Sequence, residues 1–336
     1  VEVSFVRRLR TINPGDAPEA AGFIQRCYPF ADQLGRSLPD LLRRLISEET
    51  LSGVVVEYIR DGDLKPEIAA FGLSGFISDG CANEYLASPR PHFEFTLLDR
   101  ALKQEPAFLS YEEIAEANAG EGVTLFPLLW LQNSSDPADP EAYILLGLGQ
   151  KSFWSSHRGY RLSRILKEMP ADMAEAFLRG GFRQHCRFPA GAPLGAFPDV
   201  ALEQDRIMFT VTRAEVEANW PGSIVAQLFA HQSPRCGFTR AEQQVLIRAA
   251  DGLTDAKIAS VLGITPAAVS LRWRSIYARL LESVPVVLRL DDDSNGARGQ
   301  EKRRTVIAFI NEHPEELRPY TRRSRRQNHG RPAQEA

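Results

Sequence analysis

The chain has 336 residues, 43% of them hydrophobic and 25% charged, which suits about two globular domains with real cores. No apolar run approaches the ~20 residues of a membrane helix and no secretory signal opens the chain, so a membrane-spanning or exported class is set aside and a cytoplasmic location is expected. The net charge of -3 conceals an asymmetry: residues 236–336 hold 17 Lys and Arg against 12 Asp and Glu, a balance of +5 that leaves -8 on the rest, as a polyanion-binding C-terminal part would give.

In chain order, VSFVRRLR reads as a strand, and residues 17–28 and 38–48 as helices. GVVVEYI and EIAAFGLSGFI carry the β-branched and aromatic content of strands. Residues 94–104 and 111–118 read as helices, and VTLFPLLWL as a strand buried on both faces. Residues 141–169 are ambiguous, with helix assigned over 160–169. A helix over 173–179 ends at Gly180-Gly181, and FRQHCRF and RIMFTVT read as strands around a Pro/Gly-rich loop at 188–198. Cys27, Cys81, Cys186 and Cys236 lie far apart and form no CxxC pair. This composition predicts reduced thiols, no disulfide frame and no metal site.

After HQSPRCG at 231–237 the pattern becomes purely helical. Thr239 is a helix N-cap with Glu242 as its capping-box partner, and Val245, Leu246 and Ala249 line one face. Gly252 ends that helix. Thr254 starts the next, with Ile258, Val261 and Leu262 as its apolar stripe, and Gly263 stops it. Thr265 caps a third helix, Pro266 occupies its first turn, and Val269, Ile276 and Leu280 face inward. Two helices joined by so short a turn form a helix-turn-helix, whose second helix can enter a major groove N-terminus first.

The three-helix string resembles the DNA-binding domain of LuxR-type transcriptional regulators, through Thr239, Arg240, Glu242, Val245, Leu246, Gly252, Thr254, Ile258, Ala259, Leu262, Ile264, Thr265, Val269, Ile276 and Leu280. The resemblance implies a recognition helix over about 266–281, with Ser270, Leu271 and Arg274 toward base edges and Thr265, Arg272 and Arg279 toward phosphates of double-stranded DNA. Lys257, Ser270 and Arg272 depart from the family pattern, so an operator unlike the usual site is expected. Trp273 is assigned to the core side. The family's dimerisation helix is delayed: a polar loop, LDDDSNGARG, precedes an amphipathic helix from Gln300 to His313, which either pairs two subunits or covers its own core. The end, from Arg318 with Arg322, Arg323, Arg325 and Arg326, has almost nothing to bury. It is expected to be disordered, either adding phosphate contacts or simply solvated.

For the first part, neither a phospho-receiver's acidic set nor the Trp/Tyr/Asp constellation of an autoinducer-binding domain can be placed. A GAF- or PAS-like sensor stays open. VRRLRTINPGDAPEAAGFIQRCY and FLRGGFRQHCRF resemble the first strand–helix and the late helix–turn–strand of GNAT-type N-acyltransferases. That family's [QR]xxGx[GA] loop, a backbone anion site for the acyl-CoA pyrophosphate, is missing. GLGQKS and HRGYRL are the nearest stretches. Any such domain is therefore expected to be degenerate, with no catalytic residue and no cofactor. His157, Arg158 and Tyr160 are candidates for lining a small-molecule pocket.

The fold class expected is an α+β N-terminal domain, a mixed sheet with flanking helices over 1–231, plus an all-α helix-turn-helix domain over 232–317 and a basic tail over 318–336. The function expected is a bacterial, nucleoid-associated, homodimeric DNA-binding transcriptional regulator that is not an enzyme. The alternatives are an N-acyltransferase fused to a DNA-binding module, or a protein-interaction adaptor.

Overall fold

The computed structural model describes residues 5–60, 66–136, 138–219, 223–289 and 298–321. Its centre is a seven-stranded sheet in the order β1-β2-β3-β4-β5-β7-β6, built from β1 (Phe5–Thr11), β2 (Leu51–Arg60), β3 (Glu67–Ile77), β4 (Val123–Gln132), β5 (Leu162–Pro170), β6 (Arg183–Phe188) and β7 (Arg206–Thr212). All neighbours are antiparallel except β4 and β5. The fold class is thus mixed α+β, a mixed sheet flanked by helices. β4 is buried at seven of its ten positions and exposed at none, as its apolar run requires.

One face is covered by α1 (Ala17–Cys27), α2 (Leu38–Ser47), α3 (Asp79–Ala87) and α4 (Phe93–Leu102), whose side chains join Phe71, Leu73, Phe126 and Leu128 in the largest apolar cluster. The other face carries α5 (Tyr111–Ala119), α6 (Pro140–His157), α8 (Arg213–Asn219) and α9 (Ala226–Phe229) over Val56, Ala70, Leu125 and Ile165. The short α7 (Ala174–Gly180) leads into β6, and Gly181 ends it at φ 103°. All four cysteines are free thiols, and no helix among the described residues is long and apolar enough to cross a membrane.

The largest correction to the sequence reading is residues 160–169, expected as helix and found as β5. Arg164, Lys167 and Glu168 stand at helical spacing, but the last two are drawn inward by partners on β4, α4 and β7. Helical propensity is a weak prior when tertiary contacts consume the charges.

Beyond the sheet come α10 (Arg240–Ala250), α11 (Asp255–Leu262), α12 (Pro266–Ser283), α13 (Val286–Arg289) and α14 (Arg298–Glu312). The expected caps are present: Thr239 and Glu242 form the capping box, Thr254 and Thr265 accept from Lys257 and Ala268 N–H, and Gly263 closes α11 at φ 64°. Val245, Leu246, Ile258, Val269, Trp273, Ile276 and Leu280 share one cluster with Val306, Phe309 and Ile310 of α14. The apolar stripe of α14 is therefore spent on its own core. Most of the LDDDSNGARG loop lies outside the described residues, as do the arginines after Thr321.

These helices do not stand apart from the sheet. Arg248 donates to Thr11 O and Ile12 O, Asp251 accepts from Thr11 N at 3.1 Å, and Arg240 pairs with Glu49 at 3.1 Å. Residues 318–321, expected in the disordered tail, instead run between the two halves. Arg318 is buried and donates to Ser155 O and Arg158 O, Asn118 donates to Pro319 O, and Glu316 accepts from Arg235 N and Cys236 N. Gly159, at φ 87°, lies so close to this segment that a Cβ would sit 2.4 Å from Glu315 N. Gly159→Ala should cost about 1–3 kcal/mol through the left-handed backbone alone, with the clash added. The expected outcome is a melting temperature lower by several degrees and faster proteolysis near Arg318; an unchanged melt would show that the segment is not clamped.

Candidate functional site

The one parallel pair in the sheet is also its weakest seam. β4 and β5 pair only at Val123–Leu162, Thr124–Arg164 and Leu125–Ile165. Beyond these, 126–132 stay bonded to β3 and 166–170 to β7, so the two strands open as a fork at their C-terminal ends. Parallel strands bind ligands in just such a crevice, because the diverging edges present unpaired backbone groups. Leu128 is an extra residue on β4: Leu129 faces Leu73 and Pro127 faces Ser74. Such a bulge re-aims backbone groups.

Lys167 of β5 reaches across the fork. Its Nζ donates to Pro127 O at 2.9 Å and Leu128 O at 3.2 Å. Burial lowers the amine to about 8, with Glu94 opposing and Arg206 reinforcing the shift.

Beside it is a buried ionic network. Glu168 accepts the backbone N–H of His92 and Phe93 and so caps α4 from a neighbouring strand. His92 Nδ1 lies 2.7 Å from Glu94 Oε1, and Arg206 Nε donates to Glu168 at 2.5 Å. Burial alone would push the Glu94 carboxyl up, but His92, Arg206 and Lys167 hold it at about 2. Burial and the neighbouring Glu94 push Glu168 up. His92 sits at φ 60°, a strained conformation for a non-glycine residue that its partners over-determine. Donor atoms of His92, Glu94 and Glu168 lie within 4.8 Å of one another, but Arg206 already supplies the positive charge that these carboxylates need. The set fits an ion network better than a metal site.

Sequence reasoning missed all five of these residues. Glu168 and His92 are 76 positions apart, and nothing local announces their meeting. The one available signal was a lone charge, Arg206, heading an otherwise apolar strand.

The expected pocket at His157, Arg158 and Tyr160 is a socket for the chain's own Arg318, whose guanidinium lies 4.9 Å over the Tyr160 ring. His157 donates from Nδ1 to Phe153 O at 2.7 Å, and burial lowers its pKa to about 4. On α12, Ser270, Leu271 and Arg274 are exposed, Leu271 by 60%. Thr265 is exposed as the cap. Arg272 is half-buried, and Arg279, expected at a phosphate, pairs instead with Glu242 at 3.0 Å. Trp273 packs inward, its Nε1 donating to Asp255 and its ring under Arg303.

The missing anion loop also has a geometric counterpart. The helix after β4, α6, is capped by Asp139, carries Glu141 in its first turn, and pairs Glu141 with Arg7 and Tyr58. A diphosphate there would meet carboxylates rather than free N–H groups. Gly149 of GLGQKS serves packing: its Cα faces the Trp130 ring, where a Cβ would be 2.6 Å from the indole.

No family model and no curated protein matches the chain. Similar solved structures include Arabidopsis thaliana NAA60 in complex with acetyl-CoA, at 14% identity over 62% of this chain and 99% of that one, TM-score 0.36. FeeM, an N-acyl amino acid synthase from uncultured soil microbes, is 9% identical over 67% of this chain and 97% of that one, TM-score 0.35. An acetyltransferase of the GNAT family from Streptococcus pneumoniae is 13% identical over 62% and 99%, TM-score 0.31. These are acyltransferases, and the expectation of a LuxR-family, DNA-binding transcriptional regulator without catalysis is corrected accordingly. A missing pyrophosphate loop does not by itself exclude the reaction, since that loop holds the far end of a donor and not its reacting end.

His157 makes a pH prediction. Its folded pKa is below the ordinary 6.5, so the unfolded chain binds the extra proton between pH 6.5 and about 4. Stability is complete above pH 6.5 and falls as pH drops, by about 3 kcal/mol at pH 4 at 1.36 kcal/mol per pKa unit. Urea titrations at pH 7 and pH 4 should show that loss shrinking in His157→Asn; an equal loss in the variant would remove the assignment.

Proposed function

We propose that the chain is an N-acyltransferase of the GNAT kind that carries a helical module for duplex DNA. The observation that supports the first half best is the fork: a single parallel strand pair that parts after Leu125, inside a seven-stranded sheet, with a bulge and ionisable groups at the point of divergence. The sequence resemblance at the first strand–helix and the late helix–turn–strand falls on β1–α1 and α7–β6, the positions that this reading requires. A thioester donor would lie along β4, its amides bonding the edge that parts from β5, beyond the two carbonyls that Lys167 occupies, as an added strand does. The acceptor is a primary amine, and the products are an amide and a free thiol.

The acidic start of α6 shapes the donor preference. With Asp139 and Glu141 where the family's anion loop would be, the nucleotide end of acetyl-CoA gains nothing, and binding energy comes from the pantetheine and thioester alone. For the helical module, the supporting observation is the exposure of Ser270, Leu271 and Arg274 on one side of α12.

The full chain supplied with acetyl-CoA and a panel of primary amines should release thiol in an amine-dependent way, followed with a thiol-reactive dye. S-acetylpantetheine should give a similar kcat/KM. No amine-dependent release with either donor would sink the acyltransferase reading, and a strong preference for acetyl-CoA would sink the account of α6. For the module, Arg274→Ala should weaken duplex binding by about 1–3 kcal/mol in fluorescence anisotropy; unchanged binding would remove Arg274 from the interface.

A further inference from the structure

In a regular strand, consecutive carbonyls point to opposite edges. The bulge at Leu128 breaks that rule and brings Pro127 O and Leu128 O to one point, the Nζ of Lys167. Two acceptors satisfy two N–H bonds of a primary amine. When the amine is neutral, its lone pair is the direction left over, turned away from β4. A primary amine is thus held at the divergence of the strands, in the place and with the chemistry that an acyl acceptor needs.

We propose that Lys167 is an internal acyl acceptor: a thioester held in the fork, with its acyl carbon on the side of the amine away from β4, transfers its acyl group to the Lys167 amine. This rests on the acyltransferase reading of the fork. In the step, an Nζ–C bond forms and the C–S bond breaks. One Nζ proton passes to the departing thiolate, leaving an Nε-acyl-lysine and a free thiol. The charged groups within electrostatic reach of the amine are Glu94 of α4, Glu168 of β5 and Arg206 of β7. The lowering of the amine to about 8 gives it a neutral fraction at mildly alkaline pH that exposed lysines lack. Acylation removes a positive charge from this network and leaves one N–H for two carbonyls, so the modified fork is a chemically different site.

The test incubates the full chain with acetyl-CoA, and separately with S-acetyl-N-acetylcysteamine, and maps acetylated lysines by mass spectrometry. Exposed Lys103 and Lys257 report background reaction with solvent-borne thioester. The expected result is faster acetylation of half-buried Lys167 than of either control, with a rate that rises through about pH 8 and then levels. Lys167→Arg retains donors for both carbonyls, should fold as judged by circular dichroism, and should leave Lys103 and Lys257 reacting at the same background rate. Lys167 reacting no faster than the controls would overturn the inference. Turnover of added amines with Lys167 unmodified would overturn it while leaving the acyltransferase reading standing. Acylated Lys167 without turnover of any added amine would support it, keep the thioester site in the fork and overturn only the transfer to added amines.

Discussion

The seam between β4 and β5 sets the terms for the rest of the molecule. Two parallel strands that separate after three pairs expose backbone donors and acceptors inside a protein, and each must find a partner or a ligand. Lys167 answers part of that demand from β5. Glu168, the next residue, turns to the opposite face and caps α4. Consecutive residues of one strand thereby serve the crevice on one side and the helical layer on the other. Arg206 from β7 then balances the carboxylates that burial would otherwise penalise. Removing one partner from such a network costs far more than its pairwise worth, which is why the fork and α4 are mechanically one unit.

The helical half is fastened to this unit rather than tethered beside it. Thr11 at the end of β1 meets Arg248 of α10 and Asp251, which caps that helix, and the segment ending in Thr321 threads between α5, α6 and α10. The buried Arg318 has backbone carbonyls and the face of Tyr160 as partners. A charge so placed holds the join only while both halves are folded. The outer side of α12 keeps Ser270, Leu271 and Arg274 in solvent.

How much of this was legible follows from the range of each interaction. The helices after Thr239 were readable because their caps and apolar stripes act within a few residues. The strands of the first half were readable where alternation or continuous apolar runs survive, as in β3, β4 and β7. β5 was not, since its charges are satisfied by residues far off in sequence. The site was hidden for the same reason: His92, Glu94, Lys167, Glu168 and Arg206 come from three separate stretches, and no local spacing unites them. Arg279 illustrates a subtler limit. The family pattern assigns it to a phosphate, while Glu242, freed by no local rule, takes it as an ion-pair partner. Residues 318–321 show the converse, a polar stretch that composition sends to solvent and that a prepared socket draws in.

The central claim is that a thioester donor occupies the fork. Hydrogen–deuterium exchange of the full chain, with and without saturating S-acetylpantetheine, reads this directly, because a ligand bonded to the edge of β4 that parts from β5 must slow exchange there. The account predicts protection confined to residues 126–132 and 166–170. Protection elsewhere, or none at saturation, would contradict it.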